Sequence, residues 1–143
     1  MKYITKIISL SAVIVLCILW TSCDSQICTS RFDFVQIQVL DQNEEPVELD
    51  SFEIIDMRTE KAIDPCDFDD PNPCPGGRPM GSPEYGSYTI FHDGIRDMII
   101  GDRIGIRVKG QKNGKQFDEE FLIGDDGCHV FKKEGPKRIT LSE

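Results

Sequence analysis

Residues 103–123 constrain the fold more than any other stretch. Arg103 to Gln111 alternates strictly, with Ile104, Ile106 and Val108 on one side and charged residues or glycine between them. A period of two is the repeat of a strand buried on one face; on a helix it would scatter the apolar residues around the axis. Asn113-Gly114 follows, the pair that best tolerates the positive φ angles of a type I′ hairpin. Gln116 to Ile123 then returns with Phe117, Phe121 and Ile123 on one face. The expectation is a long antiparallel pair whose apolar face other elements must cover.

The rest of the chain supplies candidates for that cover. Phe32 to Leu40 alternates through Val35, Ile37 and Val39, and the turn-forming run Asp41 to Pro46 follows it. Val47 to Leu49 and Phe52 to Arg58 read as strand, as does Glu84 to His92 with Tyr85, Tyr88, Ile90 and Phe91. Ile95 to Ile100 fits either a short helical turn or an edge strand. After the turn Gly124 to Gly127, Cys128 to Lys133 and Lys137 to Ser142 read as closing strands around Gly135-Pro136. No segment carries a helical period. About seven short strands at turn spacing predict an all-β fold, an antiparallel β-sandwich of immunoglobulin or transthyretin type. Residues 64–83 stand apart, with six prolines and three glycines. Proline lacks the donor a central strand needs, so a long surface loop is expected there.

The N-terminus has a different character. Lys2 and Lys6 precede Ile7 to Trp20, an apolar run broken only by Ser9 and Ser11, and then Thr21, Ser22 and Cys23. The run is short of the roughly 20 apolar residues a spanning helix needs, which argues against an uncleaved anchor. No Ala-x-Ala site follows, which argues against plain secretory cleavage. Leu19-Trp20-Thr21-Ser22-Cys23 resembles the lipobox of bacterial lipoproteins, with Trp20 where that family prefers leucine. The resemblance implies a signal peptide over 1–22, acylation of Cys23 by palmitate-type chains, a lipidated tether over 23–31 and a sandwich over 32–143. It places the domain in the cell envelope, on the periplasmic or outer-surface side. Asp24 resembles the inner-membrane retention signal of enteric bacteria, a rule that varies between phyla, so the choice of membrane stays open.

The formal charge is −9, and removal of Lys2 and Lys6 makes the remainder about two charges more negative. Such a balance argues against nucleic acid as a partner and against electrostatic attachment to anionic lipid headgroups. Beyond Cys17 and Cys23, four cysteines remain: Cys28, Cys66, Cys74 and Cys128. An even number in an exported domain reads as disulfides, and four cysteines allow three pairings. Cys66 and Cys74 flank one loop and close most easily, which leaves Cys28 with Cys128.

Two further runs carry a resemblance to known sandwiches. Phe34 to Asp41 followed by Glu45-Pro46-Val47, and Gly86-Ser87-Tyr88-Thr89-Ile90, resemble carboxypeptidase-regulatory-like modules of transthyretin type, with Asn43-Glu44 replacing their usual glycine turn. Cys128-His129-Val130, with the lipobox, resembles uncharacterised lipoproteins of Bacteroidetes type. That family implies a membrane-tethered module without a known reaction.

Signals for chemistry are sparse. Asp64, Asp67, Asp69, Asp70 and Asn72 offer hard oxygen ligands, but Pro71 breaks the EF-hand frame and no bidentate glutamate follows. A zinc set of Cys66, Cys74, Cys128 and His129 has the wrong spacing, and adjacent Cys128 and His129 would point to opposite faces of a strand. His92 and His129 are the available general bases, and Ser82 and Ser87 lie in no Gly-x-Ser-x-Gly elbow. No metal and no cofactor are expected. The reading is a non-catalytic binding or assembly module, held to the membrane and facing an envelope protein or glycan. Asp67, Phe68 and Asp69 are its candidate contact. The alternatives are an envelope hydrolase acting on glycan or peptide, and a calcium-stabilised adhesion module.

Overall fold

The structure, a computed structural model, describes residues 27–64 and 81–141. Nine strands run in order: β1 (Phe34–Leu40), β2 (Ser51–Asp56), β3 (Lys61–Ile63), β4 (Gly81–Ser82), β5 (Ser87–His92), β6 (Arg103–Lys112), β7 (Lys115–Asp125), β8 (Val130–Glu134) and β9 (Arg138–Thr140). They form two sheets, ordered β4-β5-β1-β9 and β3-β2-β6-β7-β8. The fold is an all-β sandwich.

The expected hairpin is its longest unit. β6 and β7 pair from Arg103–Gly124 to Lys112–Lys115, and Asn113 (φ 51°) and Gly114 (φ 81°) both take the left-handed conformation the type I′ turn requires. Ile104, Ile106, Val108, Phe121 and Ile123 are each 2% exposed or less, and they pack in one core with Val35, Ile37 and Val39 of β1. Burying side chains of this kind contributes about 1.5–3 kcal/mol each against leaving them in water, which is why this face dictates the architecture.

β5 departs from simple alternation. Its register against β1 shifts between Val35 and Gln36, so Phe91 lies opposite Val35 and Tyr88 opposite Ile37. The irregularity lets Tyr88 and Phe91, three residues apart, both pair with inward residues of β1. His92 lies opposite Phe34 and is nonetheless fully buried, with the rings of Phe32 and Phe34 at 5.6 and 6.2 Å.

Several expectations are corrected. Val47 to Leu49 is not a strand: beside the Leu40–Pro46 bridge, the Tyr88 hydroxyl donates to the Val47 carbonyl (3.0 Å) and accepts the Leu49 N–H (2.7 Å). One side chain there does the work of a ladder. Gly86 explains how the chain comes so close, since at φ 67° a Cβ would run into the Val39 carbonyl and the Val47 nitrogen. Of the two readings of Ile95 to Ile100, the short helical turn is the one found, as a 3₁₀ turn over residues 93–98. β8 begins at Val130, so Cys128 and His129 lie in the preceding turn and not on opposite faces of a strand. β9 pairs with β1 in parallel, the exception in otherwise antiparallel sheets. At the end of the loop expected over 64–83, Gly81 and Ser82 rejoin β5 as β4. Among the described residues no helix is long and apolar enough to cross a membrane.

Candidate functional site

Three distant segments meet where the chain enters the sandwich. Cys28 and Cys128 are joined by a disulfide, with Cα atoms 5.2 Å apart and 100 residues between them in sequence. The bridge brings their neighbours together. Thr29 Oγ1 lies 2.8 Å from His129 Nε2, and His129 Nδ1 lies 2.8 Å from Asp93 Oδ2. Asp93 comes from the 3₁₀ turn that follows β5.

Asp93 is the junction. Its Oδ2 also accepts the Asp33 N–H (2.9 Å), its Oδ1 accepts the Val130 N–H (2.8 Å), and its own N–H donates to the Asp33 carbonyl (3.1 Å). One carboxylate thus ties the entry segment, the 93–98 turn and the start of β8. The turn before β8 is wired separately: Asp126 Oδ1 accepts the N–H groups of Cys128 and His129, and Asp125 Oδ1 accepts that of Gly127. Arg96 donates to the Cys128 carbonyl at 2.7 Å and pairs with Asp125 at 3.4 Å.

Side chains of His129 and Asp93 are 16% and 12% exposed. The hydrogen bond with Asp93 raises the pKa of His129 above its ordinary 6.5; burial opposes this, and the charges of Asp93, Asp33 and Asp126 add to it. Burial pushes Asp93 upward, but the hydrogen bonds from His129, Asp33 and Val130 outweigh it and hold the carboxyl below 3.8. Both shifts favour the charged pair. In the neutral state Asp93 selects the tautomer with the proton on Nδ1, which leaves Nε2 to accept from the Thr29 hydroxyl. Hydroxyl, imidazole and carboxylate then stand in the order of a nucleophile, its base and the group that orients the base.

The sequence-predicted residues distribute unevenly over this geometry. Cys28 and Cys128 pair, and Cys128 therefore has no thiolate to offer zinc. His129 lies at the centre, while His92 is buried with its Nδ1 accepting the Gly94 N–H at 3.0 Å. Asp64 is exposed. Cys23, Cys66, Cys74, Asp67, Phe68, Asp69, Asp70 and Asn72 lie outside the described residues. Among those described, no group of three or more metal-ligating side chains is assembled. Sequence reasoning missed Thr29 and Asp93. The expected Cys28–Cys128 pairing brings Thr29 into the neighbourhood of His129, but the contact between their side chains depends on the local path of both chains. Asp93 had no signal beyond an ordinary Asp-Gly turn.

Concavities of about 880, 390, 330 and 300 Å³ lie elsewhere on the surface, and the second of them adjoins this site through Asp33 and Val130. The largest, over the start of β2 and the hairpin end of β6 and β7, holds Glu53, Lys109 and Asp118 and lies at the opposite end of β7 from Asp125. No protein-family model, curated protein or solved structure matches this chain.

Proposed function

We propose that this chain is a lipid-anchored, non-catalytic module of the bacterial cell envelope, which holds its sandwich close to the membrane and presents it to a protein or glycan partner. One observation carries the reading. Cys28, covalently bound to the body of the sandwich, comes five residues after the lipobox cysteine Cys23. Five extended residues span at most about 17 Å, so an acylated Cys23 leaves the domain on a very short leash. Tension on such a leash passes through the disulfide and the Thr29–His129–Asp93 bonds into β8 and the 93–98 turn, and does not peel β1 from its sheet. The partner contact we assign, as from sequence, to Asp67, Phe68 and Asp69 in the loop.

The test is the intact mass of the chain extracted from membranes without reduction. The expected mass is that of residues 23–143 with acyl chains and an oxidised Cys28–Cys128 pair. A chain without acyl mass would sink the reading.

The hydrogen-bonded order Thr29–His129–Asp93 favours a second reading, an envelope hydrolase with Thr29 as nucleophile and His129 as base. It predicts turnover of an activated ester that Thr29→Ser retains and Thr29→Ala abolishes. The reading as a non-catalytic anchored module predicts no turnover above solvent background in either protein, with Thr29→Ala less stable.

A further inference from the structure

The tethered end also carries a surface with its own chemistry. Between the first half of β1 and β8 runs an open cleft of about 390 Å³. β9 pairs with β1 only over Gln38–Leu40, and β8 is the last strand of its sheet, so two strand edges border the cleft. Arg31, Phe34, Phe131, Lys132 and Lys137 line it, with Asp33 paired to Arg31.

Two observations set this cleft apart. Six large apolar residues are exposed among those described, and four of them, Ile27, Phe32, Phe34 and Phe131, belong to the entry segment or the cleft. Ile27 is 92% exposed, and the rings of Phe32 and Phe34 lie 4.9 Å apart. Clustering of that kind marks an interaction surface, whereas scattered exposed residues need no explanation. The second observation is electrostatic. Lys132 donates to the Pro136 carbonyl, and among the described residues neither it nor Lys137 has a carboxylate within ion-pair distance. Burial and then the charge of Lys137 push the Lys132 ammonium below its ordinary pKa. Two neighbouring cations are thus left uncompensated in a chain of net charge −9.

We propose that this cleft docks on the headgroup layer of the membrane that carries the anchor: Lys132 and Lys137 meet the phosphate of an anionic phospholipid, and Phe34 and Phe131 enter the headgroup–acyl boundary. The inference rests on the anchor reading, which places the cleft within reach of the bilayer. Aromatic residues flanked by cations are the side chains that suit this boundary. The acidic balance of the sequence speaks against general attraction to anionic headgroups, but at physiological salt charges are screened beyond about 8 Å, so the cations that the fold gathers in this cleft act locally. At contact Lys132 and Lys137 decide the outcome, since Asp33, the one carboxylate lining the cleft, is paired to Arg31. The acids elsewhere serve to keep other faces of the domain away from the membrane, so the anchored module takes one orientation.

The chain's single tryptophan, Trp20, precedes Cys23 and leaves with the signal peptide, so Phe131→Trp supplies an unambiguous reporter in the full lipidated protein. The protein is reconstituted into vesicles of phosphatidylcholine alone, or of phosphatidylcholine with phosphatidylglycerol, each with and without brominated acyl chains. Docking predicts a blue-shifted emission that loses about half its intensity to brominated lipid in the anionic vesicles, with little loss in the neutral ones. Adding Lys132→Glu and Lys137→Glu to the reporter should abolish the loss while thermal melting confirms that the fold persists. Flotation with anionic vesicles but no quenching overturns docking and leaves the anchor intact. A chain that floats with neither vesicle overturns both readings. An equal spectral shift with inorganic phosphate and no vesicles assigns the cleft to a soluble anion and overturns docking.

Discussion

Each end of the sandwich carries an acid–base pair at 2.8 Å: Asp93 with His129 where the chain enters, and Asp50 with Lys112 beside the β6–β7 hairpin. Length does not distinguish them, but surroundings do. Side chains of Asp93 and His129 are 12% and 16% exposed, those of Asp50 and Lys112 51% and 34%. Asp93 also accepts two backbone N–H groups from separate segments, beside a disulfide. Asp50 accepts one, from Asn113, on the turn whose strand already carries Lys112. An exposed pair is screened and gives back in side-chain entropy what it gains in attraction; a largely buried carboxylate with several donors leaves them all unsatisfied when it is removed. The entry end is therefore tied by several mutually dependent bonds, and the hairpin end only by an exposed pair.

The largest test of that contrast removes the bridge. On the chain-entropy model, closing a loop of 100 residues constrains the unfolded chain by about 4.7 kcal/mol. Cys28→Ser with Cys128→Ser should lower the urea midpoint accordingly, and reductant should do the same to the parent protein. A midpoint that ignores both would mean the entry segment is held without covalent help.

Next comes the junction. Asp93→Ala strands the Asp33 and Val130 N–H groups and the His129 ring, for an expected loss of about 3 kcal/mol in denaturant unfolding. Hydrogen exchange at Val130 should accelerate with it. A loss confined to a few tenths of a kcal/mol would mean that the entry segment is held by the disulfide alone.

How much of this was legible depends on the distance over which each feature is specified. The hairpin was, because Ile104, Ile106, Val108 and Asn113-Gly114 carry their instructions within a few residues. The Cys28–Cys128 bridge was legible by elimination among four cysteines. The junction was not: the partners of Asp93 are 36, 37 and 60 residues away, and nothing around Asp93 announces them. Val47 to Leu49 was misread because its composition suits a strand, while the Tyr88 hydroxyl that holds it comes from another strand 41 residues away. β9 has three residues, too few for a period to declare which strand it joins or in which direction. The cleft escaped notice for a related reason: an average charge of −9 hides cations that only the fold brings together.

The pH response gives a smaller effect with a definite sign. His129 has a raised pKa, so its contribution is complete below about 6.5 and declines as pH rises through the folded value. Asp93 has a lowered pKa, so its contribution is complete above 3.8 and declines as pH falls through its folded value. Between those limits the pair contributes fully. The stability difference between the parent and His129→Gln should be greatest there and shrink towards pH 9, though not to zero, because neutral Nδ1–H still donates to Asp93. A difference that grows with pH would reverse the assigned charge states.

The smallest effect belongs to the exposed pair, and it separates the two ends most cleanly. Asp50→Asn keeps a side-chain oxygen to accept the Asn113 N–H and deletes the charge and the acceptor that face Lys112. The hydrogen bond from Lys112 lowers the pKa of Asp50, so the attraction is real, but both partners stand in water. At 1 M salt the screening length falls to about 3 Å, comparable with the separation of the pair. The small destabilisation by Asp50→Asn should therefore vanish between low salt and 1 M sodium chloride, while that of Asp93→Asn, measured in the same titration, should largely remain. Equal salt dependence at both sites would show that the burial of Asp93 does not shield it, and the distinction between the two ends would rest on the disulfide alone.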